Sequence, residues 1–173
     1  LPPHLKYENE GGPPLARLFA VVAAGSRAPL PDKRSLLRWV LFNVLIGNAD
    51  AHAKNLSLVH DDPDAARPRL APFYDLVCTA AYDQLSDRQA QKIGGEYRWR
   101  HLRRRHWERL ALDIGVKPGY LRAVALELCD LVAARAADLA GPLGSECGGG
   151  ATLERITRVI DRRAERLHSD LGG

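Results

Sequence analysis

Apolar residues recur at helical spacing over two stretches near the start of the chain. Leu15, Leu18, Phe19 and Val22 predict a helix over 13–25, with proline in its first turn. After a break over 26–31, Leu36, Leu37, Val40, Leu41, Val44 and Leu45 form a stripe with a period of about 3.6 residues. Asp32 is placed to cap this second helix, and Gly47 to end it just past Ile46. The pattern then lapses. Residues 48–55 are polar at every second or third position and read as a loop. A short strand over 56–59, a turn over 61–67 containing Pro63, and a return strand over 69–71 predict a small hairpin. Beyond Asp75 the chain reads as helical almost to its end. Ser86 is placed to cap a short helix that stops at Gly94-Gly95, a second helix runs over 99–114 and is closed by Gly115, and an Ala- and Leu-rich helix runs over 118–139. Residues 141–150 read as a flexible Gly-rich linker. Leu153, Ile156, Ile160, Ala164, Leu167 and Leu171 then give a last amphipathic helix. The fold class is therefore mainly α, with a small β-hairpin beside the polar loop, and no internal repeat.

Composition narrows the function classes. With 173 residues, 46% apolar and 27% charged, the chain has the make-up of one globular domain or lobe and not of a disordered segment. No apolar run approaches the roughly 18 residues that span a bilayer. The three cysteines, Cys78, Cys129 and Cys147, are odd in number and far apart, which argues against a disulfide framework and for a reducing, cytoplasmic setting. The chain begins at Leu1 and holds no Met, so it is expected to be a fragment. Net charge is +4, and five of the 25 basic residues are Lys, the other 20 being Arg. Such a balance permits binding to phosphate or nucleic acid without establishing it.

The chemistry concentrates at the polar loop. Phosphoryl transfer needs a carboxylate to orient an acceptor hydroxyl and hard oxygen donors to hold the Mg²⁺ of the nucleotide. Protein kinases place a catalytic Asp five residues before a metal-binding Asn and follow them, after a hairpin, with a second metal-binding Asp. Here Asp50 precedes Asn55 by five residues, and Asp75 follows 20 residues later with the hairpin between. Asp-x-x-x-x-Asn alone is a weak signal, since Asp and Asn are ordinary loop and cap residues. The full phrase Gly47-Asn48-Ala49-Asp50-Ala51-His52-Ala53-Lys54-Asn55-Leu56-Ser57-Leu58 is far more specific.

That phrase resembles the catalytic loop of the HipA-type bacterial serine/threonine kinases, the toxin half of HipA/HipB toxin–antitoxin systems. Leu1-Pro2-Pro3 with Lys6-Tyr7-Glu8 and Gly11-Gly12-Pro13 resembles the start of that family's C-terminal lobe. Ala71-Pro72-Phe73-Tyr74-Asp75-Leu76 resembles its metal-binding segment, and Lys92-Ile93-Gly94-Gly95 with His106-Trp107 a later stretch. Asn48 and Ala51 depart from the pattern and leave its acidic and amide positions untouched.

The resemblance implies a helical kinase-like C-terminal lobe over 1–173, with the hairpin carrying the catalytic and metal-binding loops. It implies ATP and Mg²⁺ as cofactors, a protein hydroxyl as acceptor and a HipB-like DNA-binding antitoxin as partner. By the same resemblance Asp50 is the catalytic base, Asn55 and Asp75 are metal ligands, and Lys54 is a candidate to neutralise phosphate. His52 either holds the loop, the favoured role, or moves a proton. Phe73 and Tyr74 are expected to pack under the loop. The Gly-rich phosphate loop, the nucleotide-binding lysine and the adenine hinge of the family are expected upstream, so the chain alone is expected to be inactive.

Other constellations carry less. The run from Arg98 to Arg109, interleaved with Trp99 and Trp107, suits either nucleic-acid contact or, as the favoured reading, an amphipathic helix with solvated arginines. It supports an alternative in which the chain is a non-catalytic binding module. His52, His60, Cys78, His101 and His106 lack zinc-ligand spacing. Cys78 sits in an apolar context that suits a core residue better than a nucleophile.

Overall fold

The computed structural model describes residues 2, 5–60, 66–147 and 149–172. Leu1 and Pro3, and most of the turn expected over 61–67, lie outside the described residues.

Helix α1 (Leu15–Gly25) buries Leu15, Phe19 and Val22. Helix α2 (Pro29–Ile46) starts on a proline whose missing N–H costs a first turn nothing. It buries Leu36, Leu37, Trp39, Val40, Leu41, Val44, Leu45 and Ile46, apolar around most of its circumference. Such a helix must be enclosed, and α1 and the two C-terminal helices pack around it. Gly47 ends α2 as expected. Its φ is 77°, and the amides of Gly47 and Asn48 turn back onto Val44 O and Asn43 O in a Schellman closure. A Cβ at Gly47 would also meet Ala80 Cβ at 2.7 Å, so both conformation and space demand glycine.

Asp32 does not cap α2; the helix begins three residues earlier, at Pro29. Asp32 lies buried in the first turn, where it accepts hydrogen bonds from Ser26 Oγ at 2.6 Å and Leu70 N at 2.8 Å. It thus ties the helix start to the hairpin formed by β1 (Leu58–Val59) and β2 (Arg69–Leu70), which pair antiparallel, Leu58 opposite Leu70.

The helix expected from Ser86 is instead a second hairpin, β3 (Arg88–Ile93) and β4 (Glu96–Arg98). Gly94 and Gly95 both have positive φ, the requirement of a two-residue hairpin turn. Gly94 also lies so close to the backbone of His106 that a Cβ would stand 1.9 Å from its carbonyl oxygen. The helix expected over 99–114 is a single 3-10 turn, Trp99–His101, followed by α3 (Arg104–Asp113), which buries Trp107, Leu110 and Ala111.

Helices α4 (Pro118–Cys147) and α5 (Gly150–Leu171) form an antiparallel pair: Gly144 meets Leu153, Asp130 meets His168, and Arg122 meets Gly172. The linker expected over 141–150 is for most of its length the last two turns of α4, Pro142 included. An interior proline costs a helix about 3 kcal/mol. Packing of α4 on α5, with Val132, Ile160 and Ala164 buried in the common core, offsets this, since each buried aliphatic side chain of Val or Ile size contributes about 1.5–3 kcal/mol. Two antiparallel hairpins on a mainly helical lobe is the resulting architecture. Among the described residues no helix is long and apolar enough to cross a membrane.

Two outcomes follow from the core. Asp32→Ala strands two buried donors, and urea unfolding should show a loss of about 2–4 kcal/mol. Cys129 is fully buried, and burial pushes its thiol up to about 12. The folded chain keeps a proton that the unfolded chain releases above about pH 8.5, so stability falls as pH rises from about 9 towards 12. Stability measured at pH 8 and pH 10.5 should fall less steeply for Cys129→Ala than for the wild type.

Candidate active site

A polar loop leaves the buried end of α2 and must find partners for its own backbone. Asn48, only 3% exposed, supplies one of them and ties the loop to its neighbours. Its Nδ2 donates to Asn43 Oδ1 at 2.8 Å and to Asp75 O at 3.0 Å, and its Oδ1 accepts from Asp50 N at 3.0 Å. Asn43 is fixed in turn by its own bond to Trp39 O. Thr79, in a 3-10 turn (Thr79–Ala81) after Asp75, donates to Gly47 O at 2.9 Å and accepts from Ala49 N at 2.8 Å. Beneath the loop, the buried Arg163 of α5 donates to Val44 O at 2.6 Å. It places a cation at the C-terminal, negative end of α2 and lies 4.4 Å over the Trp99 ring. Burial pushes its guanidinium down to about 10.

Asp50 and Asn55 sit on this loop, Asn55 within a 3-10 turn (Ala53–Asn55). The Asn55 Nδ2 donates to Asp75 Oδ2 at 2.9 Å and to Asp50 O at 3.3 Å. Asp50, Asn55 and Asp75 therefore converge. Both amide hydrogens of Asn55 are used, which leaves its Oδ1 for a ligand. Asp75 is the one non-glycine among the described residues with positive φ, 58°. Such a backbone costs on the order of 1 kcal/mol and persists where the surroundings over-determine it, as the Asn48 bond to Asp75 O and the Asn55 bond to its carboxylate do here. An amide oxygen and a carboxylate from two residues fit Mg²⁺, which takes few protein oxygens and keeps waters and phosphates for the rest. Among the described residues no group of three or more His, Cys, Asp or Glu side chains is placed to hold a metal.

The Asp50 side chain is 41% exposed and faces a cleft of about 420 Å³ bordered by Tyr7, Thr79, Ser86 and Arg88. Its Oδ1 accepts a hydrogen bond from the Tyr7 hydroxyl and lies 3.6 Å from Lys6 Nζ. Burial, and then the Asp50 carboxylate, push the Tyr7 hydroxyl up. Hydrogen bonding with Tyr7, and then attraction to Asp50, push the Lys6 ammonium up.

The remaining expected site residues fall around this centre. His52 is buried, edge-on to the Tyr7 ring at 5.7 Å, with Nε2 4.0 Å from Asp50 Oδ1, beyond hydrogen-bond reach. Its backbone N donates to Asp50 O at 2.8 Å. Lys54 is exposed, and its carbonyl accepts from the Tyr74 hydroxyl at 2.9 Å. Phe73 packs against Trp39 of α2, while Tyr74 holds the loop from its outer side. Cys78 is half-buried and not a full core residue. Arg100, Arg104 and Arg109 are each ion-paired within the chain, to Asp87, Glu108 and Asp113, so part of the basic run's charge is offset locally.

Pattern reading missed Asn48, Thr79 and Arg163 as supports of the loop. Asn48 had a signal: an amide directly after a helix-ending glycine stands where orphan backbone groups cluster. Thr79 and Arg163 had none, because their partners are distant in sequence.

A helix closed by Gly47, a loop after it bearing Asp50 and Asn55, a hairpin, and Asp75 returning onto Asn55 define a kinase-like C-terminal lobe. The HipA-like C-terminal domain family matches residues 1–136, and the chain belongs to that family. It is 37% identical over 133 residues to Y4mE of Sinorhizobium fredii, which carries a kinase name, a match over 77% of this chain and 31% of that protein. It is 42% identical over 81 residues to the serine/threonine-protein kinase toxin HipA of Shewanella oneidensis, 47% of this chain and 18% of that one. In fold it resembles a chain of the solved complex of Shewanella oneidensis HipA, HipB and operator DNA, with a TM-score of 0.87 and 24% identity over 98% of this chain and 42% of that chain. The chain thus spans less than half the length of these relatives.

The Asn48 bonds set a direct test. Asn48→Ala should speed hydrogen exchange at the Asp50 amide and lower stability by about 2–3 kcal/mol. Asn48→Asp keeps the Oδ1 acceptor and should preserve the Asp50 protection while still losing stability.

Proposed function

We propose that the chain is the catalytic lobe of a HipA-like serine/threonine kinase that transfers the γ-phosphoryl group of ATP to a protein hydroxyl. The observation that carries this reading is the convergence of Asp50, Asn55 and Asp75 at one loop junction. Asp50, half-exposed at the mouth of the cleft, accepts the acceptor's proton while that oxygen forms its bond to the γ-phosphorus and the bond from phosphorus to the bridging oxygen breaks. Asn55 and Asp75 would hold Mg²⁺, which would offset phosphate charge. Lys54, exposed and next to Asn55 in the chain, would meet phosphate, and His52 holds the loop through its backbone bond and its packing on Tyr7. A cytoplasmic toxin role and a HipB-like DNA-binding partner are proposed from the name of the Shewanella oneidensis relative and from the assembly in which its HipA was solved. The nucleotide's adenine and phosphate loop are assigned to the part of the relatives that this chain does not span.

Transfer from γ-labelled ATP, measured on the intact protein, tests the site. Asp50→Ala and Asp75→Ala should each lower the rate by about 100-fold or more, because each removes a base or a charged ligand that positioning cannot replace. Arg104→Ala should leave it within about twofold, as expected of an exposed surface pair. A large loss with Arg104→Ala and none with Asp75→Ala would move the site elsewhere. The isolated 173 residues should unfold cooperatively and bind Mg-ATP weakly by calorimetry.

A further inference from the structure

The segment Lys6-Tyr7-Glu8, with Gly11-Gly12, is distant in sequence from the loop, yet it ends on the carboxylate of Asp50. We propose that Tyr7 and Lys6 are positioning residues for the transfer reaction: they fix Asp50 through Oδ1 and leave Oδ2 to take the acceptor's proton. The proposal rests on the reading of Asp50 as the base.

The backbone of Asp50 is already held, its N by Asn48 and its O by Asn55 and His52. The side chain is a different matter. It is half-exposed, and the terminal torsion of an aspartate is broad and nearly two-fold, so an unanchored carboxylate would swap its oxygens and tilt. Two groups prevent this, and both act on the same atom: the Tyr7 hydroxyl donates to Oδ1, and Lys6 Nζ stands 3.6 Å from it. Lys6 also lies 4.5 Å over the Tyr7 ring, so the two residues order one another. A carboxylate has two oxygens with about four lone-pair sites. With Oδ1 engaged, Oδ2 is left free to take the acceptor's proton.

The clamp is itself rigidly delivered. Tyr7 O accepts from Glu10 N at 3.1 Å and Gly12 N at 2.8 Å. A Cβ at Gly12 would lie 2.7 Å from Tyr7 O and 2.6 Å from Leu5 O, so only glycine closes this turn. Glu8 Oε2 accepts from Lys92 N at 2.8 Å, and Gln91 Nε2 donates to Pro13 O at 3.1 Å. These bonds fasten the segment to strand β3. The second hairpin thereby acquires a role: it is the base on which the clamp stands.

The test uses the intact protein, with kcat and KM for ATP measured beside the thermal midpoint and the Asp50→Asn variant run in parallel. Tyr7→Phe keeps the ring on His52 and should lower kcat about tenfold, with KM for ATP within about twofold and the midpoint within about 2 °C. Lys6→Gln should lower kcat similarly, and Lys6→Arg should restore most of it. In the Asp50→Asn background, Tyr7→Phe should cost nothing further, because the clamp acts only through that carboxylate. If Asp50→Asn abolishes transfer while Tyr7→Phe and Lys6→Gln keep the wild-type kcat, the clamp is overturned and the base stands. If Asp50→Asn leaves transfer intact, the base reading fails first. Losses in kcat that follow a falling midpoint would reduce the segment to a structural strap. Phosphate found on Tyr7 by mass spectrometry after incubation with ATP would make the hydroxyl an acceptor, and the positioning role would be wrong.

Discussion

A polar loop that starts at the buried C-terminal end of a helix has to satisfy backbone groups that water reaches poorly. At the C-terminus of α2 this constraint is met by the amide of Asn48, which serves the helix above it, the loop that follows and the backbone of Asp75 at once. Leaving any of these groups unpaired in the interior would cost about 1–3 kcal/mol. The position of the Asp50 amide and the approach of Asp75 both depend on it. Asn55 then repeats the device on a smaller scale, with two donors spent on two aspartates and one oxygen left over.

The arrangement separates holding from reacting. Backbone atoms and buried amides carry the architecture, so the alanines at 49, 51 and 53 need contribute little but small size. The carboxylates of Asp50 and Asp75 stay on the accessible side. Preorganisation of this kind matters for phosphoryl transfer, where a protein acts mostly through position and charge. A left-handed aspartate held between the amides of Asn48 and Asn55 is strained backbone at the candidate site.

Much of this was legible in the sequence. The α1 and α2 stripes, Gly47 as a stop, the first hairpin, and the last amphipathic helix all follow from local pattern. So did the grouping of Asp50, Asn55 and Asp75, because their spacing encodes a loop, a hairpin and a return. The second hairpin was misread for a definite reason. Its strand, Arg88–Ile93, holds Gln, Ala and Lys, which favour helices, and buries Gln89 and Gln91, the latter donating to Pro13 O. The paired glycines after it were read as a helix end, although two residues of positive φ between short runs are the mark of a tight hairpin. The stretch 141–150 failed in the opposite sense: glycine and proline announced a break that packing on α5 overrode. Tyr7 and Lys6 carried no local sign of their contact with Asp50, since nothing in a sequence pattern joins residues 43 apart.

That separation sets an order in time. The loop's ties run to partners 27, 30 and 43 positions away, and the helix end beneath it is met by Arg163, 119 positions from Val44. On a ribosome adding about 5–20 residues each second, Asp50 is made several seconds before the residue that caps the helix beneath it. Contacts of such long range also form late once the chain is free, because loop closure must be met first. Among these residues the candidate aspartates are therefore made before the partner that supports their loop, and a nascent chain holds them for a time without that support.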